Sequence, residues 1–171
     1  ADIVLLGNEG VMKPLMANPS GIEIVHTSDN VDMDESPSVA LRKKRDSSMN
    51  KAFELLREDK VQGVVTAGNS GAAMAFAIFT LGRFQFVERP AIATLNPNVK
   101  GGISILLDAG GNVDCKPAHL AQFAVMGDAF ARSVLGIDAP RIGILSNASE
   151  VTKGNDLTRE AHVIVKGLGL N

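Results

Sequence analysis

The chain has 171 residues, 45% hydrophobic and 21% charged, and a formal net charge of −2. That length suits one domain with a real core, and the balanced charge, with no Trp or Tyr for base stacking, argues against a nucleic-acid partner. Cys115 is the only cysteine, so no intrachain disulfide forms; apolar runs fall short of the roughly 20 residues that span a bilayer, and the expected location is the cytoplasm.

Six short apolar runs rich in branched residues read as strands: 3–6, 22–26, 63–66, 91–95, 103–107 and 141–145. Most lack polar alternation, as strands covered on both faces do. Between the second and third lie a polar loop over 27–37, the basic run Arg42-Lys43-Lys44-Arg45 and a helical pattern over 47–58. Asp46-Ser47-Ser48 marks that helix's start, and Met49, Ala52, Phe53 and Leu56 form its apolar side. Further helical patterns cover 69–82, 117–135 and 154–166. Pro117 suits a first helical turn and Gly136 a stop. Strand alternating with helix predicts an α/β fold, a doubly wound and mostly parallel sheet with helices on both faces. One domain over 1–171 is expected. The chain opens on a strand-like run and stops just after a helical pattern, so a central segment of a longer protein is also expected.

In such sheets ligands bind beyond the carboxyl ends of the strands, and two glycine-rich turns fall there. The first is Thr66-Ala67-Gly68-Asn69-Ser70-Gly71-Ala72-Ala73. Its glycines permit close backbone approach, and the helix start that follows offers unpaired N–H groups to phosphate or carboxylate. Asn69 or Ser70 capping that helix explains the same residues without a ligand. Neither a Walker lysine nor G-x-G-x-x-G spacing is present.

The second turn runs Asp108-Ala109-Gly110-Gly111-Asn112-Val113-Asp114-Cys115-Lys116-Pro117-Ala118-His119. A plain turn needs the glycines and one Asp or Asn, not also a lysine and a histidine. Lys116 supplies a point charge for phosphate. His119 sits in the first helical turn, as a structural residue or a functional one. Cys115 reads as a small buried residue rather than a nucleophile. A third polar cluster, Ser146 to Asn155 with Lys153 and Gly154, follows the last strand and reads either as ordinary loop or as a pocket edge. The basic run is a solvated face or a landing patch for an acidic partner or a phosphorylated ligand. No His pair or acidic loop has metal-ligand spacing.

SPSVALRKKRDSSM (36–49), TAGNSGAAM (66–74), RPAIATLNPNVKGG (89–102), LLDAGGNVDCKPAHLAQFAVMG (106–127) and EVTKGNDLT (150–158) together resemble the PlsX family, the acyl-ACP:phosphate acyltransferases of bacterial phospholipid synthesis. Gly111 and Ala118 stand where Ala and Glu are usual, and the family's opening D-A-M-G-G-D turn is absent. The resemblance implies a fold similar to phosphate acetyltransferases and isocitrate-type dehydrogenases. It implies a homodimer that needs no cofactor and can associate with the inner face of the membrane. The activity implied is transfer of a fatty acyl group from acyl-carrier protein to inorganic phosphate. Gly68, Asn69, Ser70 and Gly71 would cradle phosphate beside Lys116, with Asp108, Gly110, Asp114, Lys153, Gly154 and Asn155 around the substrate. Asn112 would orient phosphate or donate to the thioester oxyanion, and His119 would move a proton or fix a phosphate oxygen. Arg42, Lys43, Lys44 and Arg45 would meet the acidic carrier. Rival readings are a nicotinamide- and metal-dependent dehydrogenase and a non-catalytic carrier-binding scaffold.

Overall fold

The computed structural model describes residues 2–147, 150 and 153–171, and its contacts gather into two compact units, Ala1–Phe84 and Gln85–Asn171. In the first, β1 (Ile3–Gly7) and β2 (Ile22–His26) pair in parallel, with Ile3 opposite Ile22 and Gly7 opposite His26. A short helix α1 (Glu9–Met12) and a 3₁₀ turn (Lys13–Leu15) follow β1. Three longer helices, α2 (Pro37–Lys43), α3 (Ser48–Arg57) and α4 (Ser70–Leu81), complete the unit.

These helices start where local chemistry says they should. Ser47 accepts the Asn50 amide at the head of α3, and Asn69 accepts the Ala72 amide at the head of α4 at 3.0 Å, each cap being worth about 1 kcal/mol. The apolar side of α3 buries Met49 and Phe53 against Ala40, Ala72 and Phe76. Phe76 is 1% exposed, so this small core is anchored by two aromatic rings, Phe53 and Phe76, and filled by alanines and a methionine.

The second unit begins with an antiparallel pair, β3 (Ala93–Pro97) and β4 (Ile103–Leu107), in which Ala93 faces Leu107 and Pro97 faces Ile103. Asn98 closes the turn by accepting the amides of Lys100 and Gly102, and Gly101 takes the positive φ of +77° that the turn requires. Helix α5 (Pro117–Leu135) packs on β4 and on α6 (Asp156–Gly167). Gly127 brings α5 close to β4, since a Cβ there would sit 3.4 Å from a Leu107 methyl carbon. Gly136 ends α5 in the left-handed conformation at φ +66°. Among the described residues no helix is long and apolar enough to cross a membrane.

The mixed α/β class holds, while the sheet differs in detail from a mostly parallel one. Among the described residues the ladders are one parallel pair and one antiparallel pair. Residues 63–66 and 141–145 join no ladder. Apolar composition equips a segment to be a strand, but hydrogen-bonding neighbours make it one. Part of the basic run is helical: Arg42 and Lys43 form the last turn of α2, started by Pro37.

Candidate active site

The Asp108–His119 connection is knotted by its own side chains. Asp108, just beyond β4, accepts the Ile92 amide on Oδ1 at 2.7 Å. Its Oδ2 takes both the backbone N–H and the side-chain amide of Asn112, at 2.5 and 3.0 Å. Asn112 Nδ2 also donates to the Pro90 carbonyl at 2.9 Å. Asp108 and Asn112 thus brace the glycine turn against the segment that leads into β3, and Gly110 supplies the turn's positive φ of +86°. Arg89 Nη1 donates to the Asp114 carbonyl at 2.8 Å and holds the far limb.

His119 is 4% exposed. Its Nδ1 accepts the Lys116 amide at 3.0 Å, which places the ring proton on Nε2, and Nε2 lies 3.0 Å from Glu88 Oε2. The imidazole therefore caps the first turn of α5 and is fixed in one tautomer by Glu88. Gln122 secures the same loop by accepting the Glu88 amide and donating to the Phe86 carbonyl. Lys116 is exposed, and among the described residues its ammonium enters no ion pair. The outcome is a free cation on a loop whose neighbours are tied down.

Cys115 is half-buried. Burial pushes its thiol up, and the Asp108 and Asp114 carboxylates add to that while Arg89 opposes it. A thiol held protonated is a weak nucleophile. A groove of about 660 Å³ opens beside this loop, lined by Asp108, Asn112, Cys115 and Phe123 and reaching Leu157 and Thr158 of α6.

At the head of α6, Asn155 accepts the Thr158 amide at 2.9 Å. Gly154 has φ +90°, and a Cβ there would lie 2.4 Å from Thr158 Oγ1, so only glycine fits. Lys153 is exposed beside them. Four neighbours in this cluster, Ala148, Ser149, Val151 and Thr152, lie outside the described residues.

The Thr66–Ala73 turn, in the first unit, is organised around Asn69. Beyond capping α4, its Nδ2 donates to the carbonyls of Asp32, Met33 and Glu35 at 2.8–3.2 Å. Gly68 donates its amide to Thr66 Oγ1, and a Cβ on Gly71 would press on Pro37 at 3.2 Å. Ser70 is exposed at the open helix start. In the basic run, Arg42 bonds the Ser38 carbonyl; Arg42, Lys43 and Arg45 are exposed and Lys44 is half-buried.

Glu88 and Gln122 were not legible as site residues, because their partners lie 31 and 34 residues away along the chain. The only hint was the dense polar loop that needed a clasp.

Fold and loop together describe a mixed α/β protein with a polar, cation-bearing connection at the carboxyl end of a strand. A family model described as fatty acid synthesis protein matches residues 1–170, and the chain belongs to that family. It is 51% identical over 169 residues to a phosphate acyltransferase of Myxococcus xanthus, covering 96% of this chain and 48% of the relative. It is 52% identical over 172 residues to a phosphate acyltransferase of Acidobacterium capsulatum, covering 98% of this chain and 51% of the relative. A phosphate acyltransferase of Syntrophotalea carbinolica is 49% identical over 173 residues, with 99% and 50% covered. The chain spans about half the length of these curated relatives.

Proposed function

We propose that the protein to which this chain belongs transfers a fatty acyl group from acyl-carrier protein to inorganic phosphate. The products would be an acyl phosphate and the free carrier thiol. The single observation that carries the site is the exposed Lys116 ammonium, which enters no ion pair among the described residues and follows in sequence the braced Asp108–Asn112 turn.

The chemistry asks little proton transfer of the protein. Phosphate is already partly dianionic near neutral pH, and a thiolate leaves readily. What remains is to hold the nucleophile in line with the thioester carbonyl and to stabilise the developing oxyanion. Lys116 supplies the charge for phosphate. Asn112 and Asp108 keep the loop rigid so that Gly110 and the Asp114 limb present a fixed surface. His119 serves through its clasp, since its ring nitrogens hold the Lys116 amide and face Glu88. Lys153, Gly154 and Asn155 form the edge at α6.

Arg42, Lys43, Lys44 and Arg45 enter no ion pair among the described residues, and that concentration of positive charge suits an acidic carrier. We take the protein to act in the cytoplasm as a homodimer, with peripheral association at the membrane where its product is consumed. The test mixes protein expressed from the complete gene with acyl-ACP and phosphate and traps acyl phosphate with hydroxylamine. Hydroxamate that depends on phosphate is the expected result; thiol release without it defeats the transferase reading.

A further inference from the structure

The groove beside β4 has an unusual construction. It is lined by Leu120, Phe123, Ala124 and Gly127 of α5, by β4 and by the segment from Arg141 to Leu145. β4 pairs with β3 along one edge, and among the described residues no ladder uses its second edge. In the 141–145 segment Ile142 donates its amide to the Asn171 carbonyl, and among the described residues the segment joins no ladder.

Both walls are apolar along their length, Ile-Ser-Ile-Leu-Leu and Arg-Ile-Gly-Ile-Leu. Yet Ile103 is 51%, Leu106 40% and Leu145 80% exposed. Exposed sheet edges are normally blunted by lysine, proline or a bulge, and β4 has none of these. Its sequence is that of an interior strand with an empty side.

We propose that this groove is a strand slot. A β-strand from polypeptide outside Ala1–Asn171, of the kind that makes up the other half of the family's members, lies between β4 and residues 141–145. It joins the two walls into one sheet. A strand suits this groove better than an acyl chain, because hydrocarbon laid along the unpaired second edge of β4 would leave its backbone donors and acceptors without partners. The relatives carry about as much chain again outside the matched region, since the match covers 48–51% of their lengths. That is ample to supply the strand, and such crossovers between non-consecutive strands are ordinary in α/β sheets.

Hydrogen exchange on protein expressed from the complete gene tests this. The amides of 141–145, and those amides of 103–107 that do not pair with β3, should exchange roughly a hundredfold slower than open chain, at every protein concentration and with or without a long-chain acyl thioester. Fast exchange in either set overturns the proposal. So does protection that appears only with the thioester, which would make the groove a ligand site, or only at high concentration, which would make the occupant a second copy. Leu145→Lys gives a second readout. A covered Leu145 predicts a melting temperature lower by roughly 5 °C or more, and an unchanged value counts against the slot. Should that variant fail to fold, the exchange pattern of the unmodified protein still decides.

Discussion

The two glycine-rich turns look alike in sequence and behave differently in the fold. In Thr66–Ala73 the one amide side chain is consumed inside the protein: Asn69 caps α4 and gathers three carbonyls from the 32–35 loop. In Asp108–His119 the amide and carboxylate bind each other, the histidine binds its own helix start, and the lysine is left over. Glycine density therefore marks a sharp turn in both places. What separates a clasp from a candidate anion site is where the polar side chains spend their hydrogen bonds.

The sharpest way to break that contrast is at Asn69. Asn69→Ala should cost about 3 kcal/mol in urea unfolding, from the lost cap and the stranded carbonyls. Asn69→Asp keeps the cap acceptor but sets a carboxylate against those carbonyls, so it should rescue little. An Asp variant as stable as the parent would mean that Asn69 is not the hub described. Next comes Lys116→Ala, with an expected loss of about a hundredfold in phosphate-dependent hydroxamate formation, or about 2.7 kcal/mol. Its unfolding midpoint should stay within about 0.5 kcal/mol of the parent, as for an exposed residue. Full activity in this variant would remove the second turn's claim to be the site.

His119→Ala should behave more like an Asn69 change than like Lys116→Ala. A loss of about 2 kcal/mol is expected, because the Lys116 amide and Glu88 lose a buried partner. If stability is unchanged while turnover collapses, His119 acts directly on substrate and the clasp account is wrong. The smallest effect concerns Cys115. Its thiol is held up by burial and by the carboxylates nearby, so the thiolate forms only at higher pH than for an ordinary cysteine. Iodoacetamide labelling should be slow near neutral pH and rise as pH increases through the elevated pKa; a rate matching free cysteine at pH 7 would contradict that environment.

Where a signal was local, it could be read before folding was considered. Helices α3, α4 and α5 announced themselves through Ser47, Asn69 and Pro117 at their starts, and α6 as a helical pattern over 154–166. The strands β1, β2 and β4 showed as branched apolar runs. Helix α2 was hidden because its seven residues end in basic side chains that read as a solvated face. The Glu88 clasp was hidden because nothing adjacent to His119 in sequence points to it.

By itself, then, the sequence determined helices α3 to α6, the turns and the family resemblance, all of which depend on side chains a few positions apart and on i to i+4 hydrogen bonds. The tertiary structure decided what those residues are for. It alone paired β3 with β4 in antiparallel fashion, left 141–145 without a ladder, and closed Asn69 into a clasp. Each depends on segments distant in the chain meeting through backbone groups that carry no residue identity, so composition could prepare these contacts but not choose them. The Lys116 ammonium is the converse case: its type was plain in the sequence, and that it enters no ion pair among the described residues became visible only in the structure.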